Sequence, residues 1–167
     1  MKPLLHIVWL VGIGVLSAPA IAVEVPAEIA AVGEALVATV HAEGAQLYEC
    51  KEDAPGKLVW QFREPIAALI INGKTVGRHF AGPRWQLDDG SSVSGKVAGR
   101  APGATPNDIP WLKLVATPQG DTGLLAGTTT IQRINTKGGM MQGSCEVAGD
   151  LRSAPYAADY LFYTKAR

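Results

Sequence analysis

A histidine with carboxylates in reach is the smallest side-chain set that moves protons near neutral pH. This chain offers one such set. His79 stands in the run Gly77-Arg78-His79-Phe80-Ala81-Gly82-Pro83-Arg84-Trp85, with Asp88, Asp89 and the distant Asp159 as candidate partners. In that role His79 would be a general base, or a metal ligand once further donors joined it. Of the 3 histidines, His6 falls in an apolar leader, so His41 is the other imidazole a metal site would draw on. Cys50 and Cys145 form no C-x-x-C, and with two scattered histidines they match no zinc spacing. Ser91, Ser92, Ser94 and Ser144 are present, but no G-x-S-x-G elbow holds any of them. The G-x-G at Gly12-Ile13-Gly14 lies in the leader and lacks the third glycine of a dinucleotide loop. No catalytic residue, cofactor or metal is assigned from these patterns.

The other available chemistry is binding. Tyr48, Trp60, Trp85, Trp111, Tyr156, Tyr160 and Tyr163 all fall in segments that read as strands. Several rings in one cleft would stack a sugar or grip an apolar molecule, with His79 and Arg84 as polar contacts. The expected ligand site is therefore His79, Arg84, Trp85 and Trp111. The function expected from it is a non-enzymatic binding module for a small molecule, a glycan or a cell-envelope component. The alternative is an enzyme or metal-binding protein that uses His79 with a nearby carboxylate.

Such residues need a frame, and the chain supplies its signals in order. Residues 1–22 read as a cleavable signal peptide: a weakly basic head, an apolar run from Leu4 to Leu16, then small-x-small sites ending at Ala22. The run is too short for a stable membrane span, and no second apolar run follows. The expectation is a periplasmic or extracellular protein, with residues 23–167 as one domain. Lys and Arg together number 15, as do Asp and Glu, and removing Lys2 with the leader leaves 14 against 15. Neither nucleic acid nor an acidic membrane surface is an expected partner of so neutral a chain. Two cysteines in an oxidising compartment predict one disulfide, Cys50–Cys145.

The mature part reads as all-β. Trp85 and Leu87 alternate with polar neighbours, Asp88-Asp89-Gly90-Ser91 turns, and Val93 to Val97 alternates again. Gly82-Pro83 fixes a corner before that hairpin. Residues 26–32 suit a short helical turn. Residues 35–42 fit a strand, although a helical stripe also passes through residues 27–41; Val-Ala-Thr-Val tips the reading to strand. Glu43-Gly44 is expected to end that run, residues 47–50 to resume it, and Pro65 to break the strand beginning at Leu58. Asn72-Gly73 between strand residues is a strong hairpin signal. Residues 99–110 read as a long loop, 112–116 as a strand, 124–134 as a long Thr-rich strand and 144–147 as a short one. In the closing strand Tyr156, Ala158, Tyr160 and Phe162 share a face. Turns every dozen residues or so predict an antiparallel β-sandwich or barrel. A lipid-facing barrel is not expected, because Gly and Pro interrupt the segments too often for a continuous apolar band.

Several of these segments together resemble a known family. They are Gly44-x-Gln46-x-Tyr48-x-Cys50, the segment from Trp60 to Pro65, the run from Val76 to Trp85, Asp89-Gly90-Ser91, Pro110-Trp111-Leu112, the run from Ile131 to Thr136 with Gly138-Gly139, and Pro155-Tyr156-x-Ala158-Asp159-Tyr160-x-Phe162-Tyr163. The resemblance covers about residues 43–164. It is to a secreted family of bacteria and fungi catalogued as a domain of unknown function. It implies export and a single domain, and no activity. Met140-Met141 departs from the family, in which a proline is common near the Gly-Gly pair. Some fungal relatives carry a malate dehydrogenase label, which this sequence does not support because it has neither the glycine fingerprint nor βαβ alternation.

Overall fold

The computed structural model describes residues 24–53 and 56–166, so the expected signal peptide lies outside the described residues. Alternation of apolar and polar residues recurs in segment after segment, and a sheet whose strands all alternate has one face to hide. Here it hides that face by closing on itself. The strands are β1 (Glu34–Glu52), β2 (Leu58–Ile71), β3 (Lys74–Phe80), β4 (Arg84–Leu87), β5 (Ser92–Ala101), β6 (Trp111–Pro118), β7 (Thr130–Gly138) and β8 (Leu151–Lys165). Each pairs antiparallel with the next, and β8 pairs back onto β1, giving an up-and-down barrel. The expected all-β, antiparallel fold is thus a barrel and not a sandwich.

The inner face is apolar. Val40, Ala42, Leu69, Trp85, Val93, Leu114, Ile131, Ala158 and Phe162 form one buried cluster. Glu43, Arg78, Arg84 and Lys96 are exposed on the other face. That polarity is the inverse of a lipid-facing barrel, whose apolar band points outward. No helix among the described residues is long and apolar enough to cross a membrane.

One end is plugged. The segment of residues 119–129 folds beneath the barrel and buries Leu125 in the inner cluster. The Asp89 carboxylate holds it there, accepting from the Ser91 amide and hydroxyl at 2.8 and 2.6 Å and from the Leu124 amide at 2.7 Å. The Ser91 hydroxyl oxygen accepts the Leu125 amide at 3.2 Å. This replaces the first part of the expected strand over 124–134: β7 begins at Thr130, because residues 124–127 are spent on the plug.

The other end is uneven. β3 and β4 are short, while β1, β2 and β8 run well past them. Above the turn at residues 81–83, the upper parts of β2 and β5 have no strand between them. Pro65 sits in β2 where β3 has already ended, so its missing N–H breaks no ladder on that side. The strand therefore passes through Pro65, with one extra residue, Arg63, bulged opposite Leu47 and Tyr48. Gly44 likewise does not end β1. A Cβ there would overlap the Ile66 carbonyl and Ala67, so glycine keeps the two strands in register.

The long segment of residues 139–150 crosses the open rim. Residues 144–147 form no strand; a single bridge joins Ser144 to Val59. The Cys50–Cys145 disulfide, with Cα atoms 5.9 Å apart, ties this segment to the top of β1. The Cys145 amide donates to Leu58 at 3.1 Å and the Gly149 amide to Cys50 at 2.9 Å. On the outer wall a short 3-10 turn, Ala27–Ile29, lies as a strap over β5 to β7. Ile29 packs there with Ala101, Ile134 and Trp111. Asn72 and Gly73 both take positive φ, as the expected hairpin requires.

The disulfide closes a span of 95 residues. Replacing both cysteines by serine is expected to lower stability by on the order of 4 kcal/mol. Urea denaturation measures this, and hydrogen exchange should rise first over residues 143–150. An unchanged midpoint would show that the barrel wall alone sets the stability.

Candidate functional site

His79 on β3 and Trp85 on β4 are cross-strand partners, and both point inward. Their rings stack with centroids 4.3 Å apart and planes 9° from parallel. Tyr160 on β8 meets both edge-on, at 5.0 Å from His79 and 5.1 Å from Trp85. This triplet is the floor of a cavity of about 540 Å³ in the upper half of the barrel. Gln46 and Tyr48 of β1, Phe62 and Pro65 of β2, Leu112 and Leu114 of β6 and Arg133 of β7 form its walls. Gly82-Pro83, Val97, Arg100, Ile109-Pro110 and Met140 lie around its mouth.

The four residues expected to share one site do not share it. His79 and Trp85 line the cavity. Arg84 precedes Trp85 in the same strand, and successive side chains in a strand take opposite faces. Arg84 is therefore outside, with its guanidinium 5.9 Å from the centre of the Phe80 ring. The same rule separates Trp111 from Leu112. Leu112 faces the cavity, while Trp111 packs beneath the outer strap with Ile29 and Ala101.

Arg84 still acts on the site through its backbone. The His79 Nδ1 lies 2.9 Å from the Arg84 carbonyl oxygen. A carbonyl only accepts, so Nδ1 carries the hydrogen and Nε2 is left as an acceptor. Burial pushes the His79 pKa down to about 3; the bond to Arg84 opposes that shift and the nearby Arg133 guanidinium adds to it. The imidazole is neutral at every ordinary pH.

The carboxylates named as partners for His79 lie elsewhere. Asp159 sits between two inward residues of β8 and so faces out. It accepts from His41 Nδ1 and from Asn135 Nδ2, each at 2.8 Å. Asp89 belongs to the basal plug, and Asp88 is exposed in the turn beside it. His41 and His79 are on opposite faces of the wall. Among the described residues no three His, Cys, Asp or Glu side chains are grouped to hold a metal ion.

Polar groups in the cavity are mostly donors. Arg133 donates from Nε and Nη2 to the Pro110 carbonyl at 3.1 and 2.9 Å. Tyr48 donates to the Gly139 carbonyl at 2.8 Å. The Trp85 Nε1 is buried with no protein acceptor, as are Trp111 Nε1 under the strap and Thr128 Oγ1 in the plug, and the Gln46 side chain lies against the Tyr156 hydroxyl. Burial raises the Tyr160 pKa, with the Arg133 guanidinium beside its hydroxyl pulling the other way. Gln46 and Arg133 were not singled out from sequence. Alternation from Gly44 through Gln46 and Tyr48 to Cys50 gave a usable signal for the first. An arginine two residues from the buried Ile131 gave one for the second.

Residues 31–73 and 70–164 match the model of a family described as a protein of unknown function, DUF3455. The chain belongs to that family. No curated protein and no solved structure matches it. In this DUF3455 member the resemblance segments have a shared placement: Gln46, Tyr48, His79, Gly82, Pro83, Trp85, Arg133 and Tyr160 all border the one cavity.

The buried imidazole makes a pH prediction. The unfolded chain takes up a proton on His79 from the ordinary value of 6.5 downward, whereas the folded chain resists until about 3. Protons then favour the unfolded state, so stability falls as pH drops through that window. The loss is roughly 1.4 kcal/mol per pH unit. Denaturation series between pH 7 and 4.5 should show a clearly shallower slope for His79→Phe than for the native chain. Equal slopes would mean that the ring is not buried as described.

Proposed function

We propose that this protein is an exported, non-enzymatic binding module that holds one small molecule inside the upper barrel. The observation that carries the reading is the cavity itself, about 540 Å³, floored by His79, Trp85 and Tyr160 and walled by Phe62, Pro65, Leu112 and Leu114, with Arg133 on one side. The size suits one molecule, since ligand pockets fall at about 300–1,000 Å³ and eight-stranded barrels hold a single small ligand. Export is supported by the pattern of residues 1–22 together with the Cys50–Cys145 bond.

A small molecule is preferred over a glycan because sugar binding uses ring faces open to solvent. Trp85 is 1% exposed, and Trp111 lies under the strap. The alternative, an enzyme or metal protein built on His79 and a carboxylate, has no observation in its favour. Asp88, Asp89 and Asp159 are each placed away from the imidazole, and its low basicity makes it a poor proton acceptor.

A neutral apolar fluorophore, phenylnaphthylamine, should bind the oxidised protein at one molecule per chain with enhanced emission. Val97→Trp at the cavity mouth should abolish that signal while leaving the melting temperature near that of the native chain. Undiminished uptake by a folded Val97→Trp variant, or none by the native chain, would defeat the reading.

A further inference from the structure

We infer that the ligand is a carboxylate on an apolar body, and that Arg133 is the residue that reads its charge. This rests on the binding reading above and adds the chemical class. Three arginines line the cavity, Arg63, Arg100 and Arg133, and among the described residues no Asp or Glu does. Arg63 has its counter-charge outside, with Glu64 at 3.2 Å and Glu49 at 3.9 Å. Among the described residues neither Arg100 nor Arg133 has a carboxylate within ion-pair distance. Arg100 stands at the exposed mouth, and Arg133 is half-buried on the wall.

The Pro110 carbonyl fixes the Arg133 guanidinium without neutralising it, since it accepts from Nε and Nη2 and carries no net charge. A cation partly removed from water and left without a counter-charge is a costly arrangement. It becomes favourable when an anion arrives, and the planar guanidinium suits a carboxylate in particular. The remaining wall is Phe62, Pro65, Leu112 and Leu114, which a small hydrated anion would not cover. One half-buried cation beside that much apolar surface matches a monoanion with a hydrocarbon or aromatic remainder.

The test uses the full oxidised protein and two matched pairs, dodecanoate with dodecanamide and naphthaleneacetate with its amide, titrated by calorimetry. In at least one pair the acid should bind about tenfold to a hundredfold more tightly than the amide, the range for a hydrogen bond to a charged group. Arg133→Gln should erase that preference while amide binding persists, and Arg133→Lys should restore part of it. Equal affinities for acid and amide in both pairs would overturn the carboxylate inference and leave the cavity reading standing. So would phenylnaphthylamine binding without binding of any of the four. Failure of all five probes would overturn both. A folded Arg133→Gln chain that kept the preference would overturn the role of Arg133. If that variant does not fold by near-ultraviolet circular dichroism, the native acid-to-amide ratio and Arg133→Lys decide: an unchanged ratio in the lysine variant counts against the geometric reading of the guanidinium.

Discussion

Closure of β8 onto β1 is the constraint from which the rest follows. Once a sheet joins its own first strand, every strand has one side turned to the barrel interior and one turned outward. The two-residue period then assigns each side chain to one of them. His79 and Trp85 belong to the inner set, and Arg84, Asp159 and His41 belong to the outer. No loop rearrangement brings the two sets together, because the wall of hydrogen-bonded backbone lies between them. The chemistry open to this chain is thereby divided into an inside chemistry of aromatic rings and the Arg133 guanidinium, and an outside chemistry of ordinary surface charges.

The inside chemistry has an internal logic. Burial keeps the His79 imidazole neutral in its stack on Trp85, and the Arg84 carbonyl selects the tautomer. A protonated ring would face Arg133 across the same space, so the arginine and the neutral histidine depend on one another. Polar groups in a core normally find partners. Here Ser91 at the plug does, while Trp85, Trp111 and Thr128 each keep one buried polar atom without a protein partner.

Much of this arrangement was legible in the chain itself. The alternation of Tyr156, Ala158, Tyr160 and Phe162 gave the inner face of β8, Asn72-Gly73 gave the β2–β3 hairpin, and the cysteine pair gave the staple. Three misreadings share one cause. Local propensity ends a strand at Glu43-Gly44 and at Pro65 and extends one through residues 124–129, and at each a distant neighbour decides otherwise. Gly44 admits the β2 backbone, Pro65 stands beyond the end of β3, and Leu125 fills the barrel floor. The site was misgrouped for a different reason. Arg84 with Trp85, and Trp111 with the cavity, were joined by closeness in sequence or by residue type, although strand alternation already set them on opposite sides.

The mismatch in strand length has a consequence for how copies of this chain meet. Where β3 and β4 stop short, β2 between the Ser144 bridge and the first β3 pair at Ala67 has no strand on that side, and such rows invite another chain to add itself and start a fibre. The stretch on β2 is poorly suited to that. Pro65 lacks a donor, Arg63 is bulged out of register, and Arg63 and Glu64 form an ion pair beside it. The feature that leaves the barrel a doorway thus also carries its own guard against self-assembly.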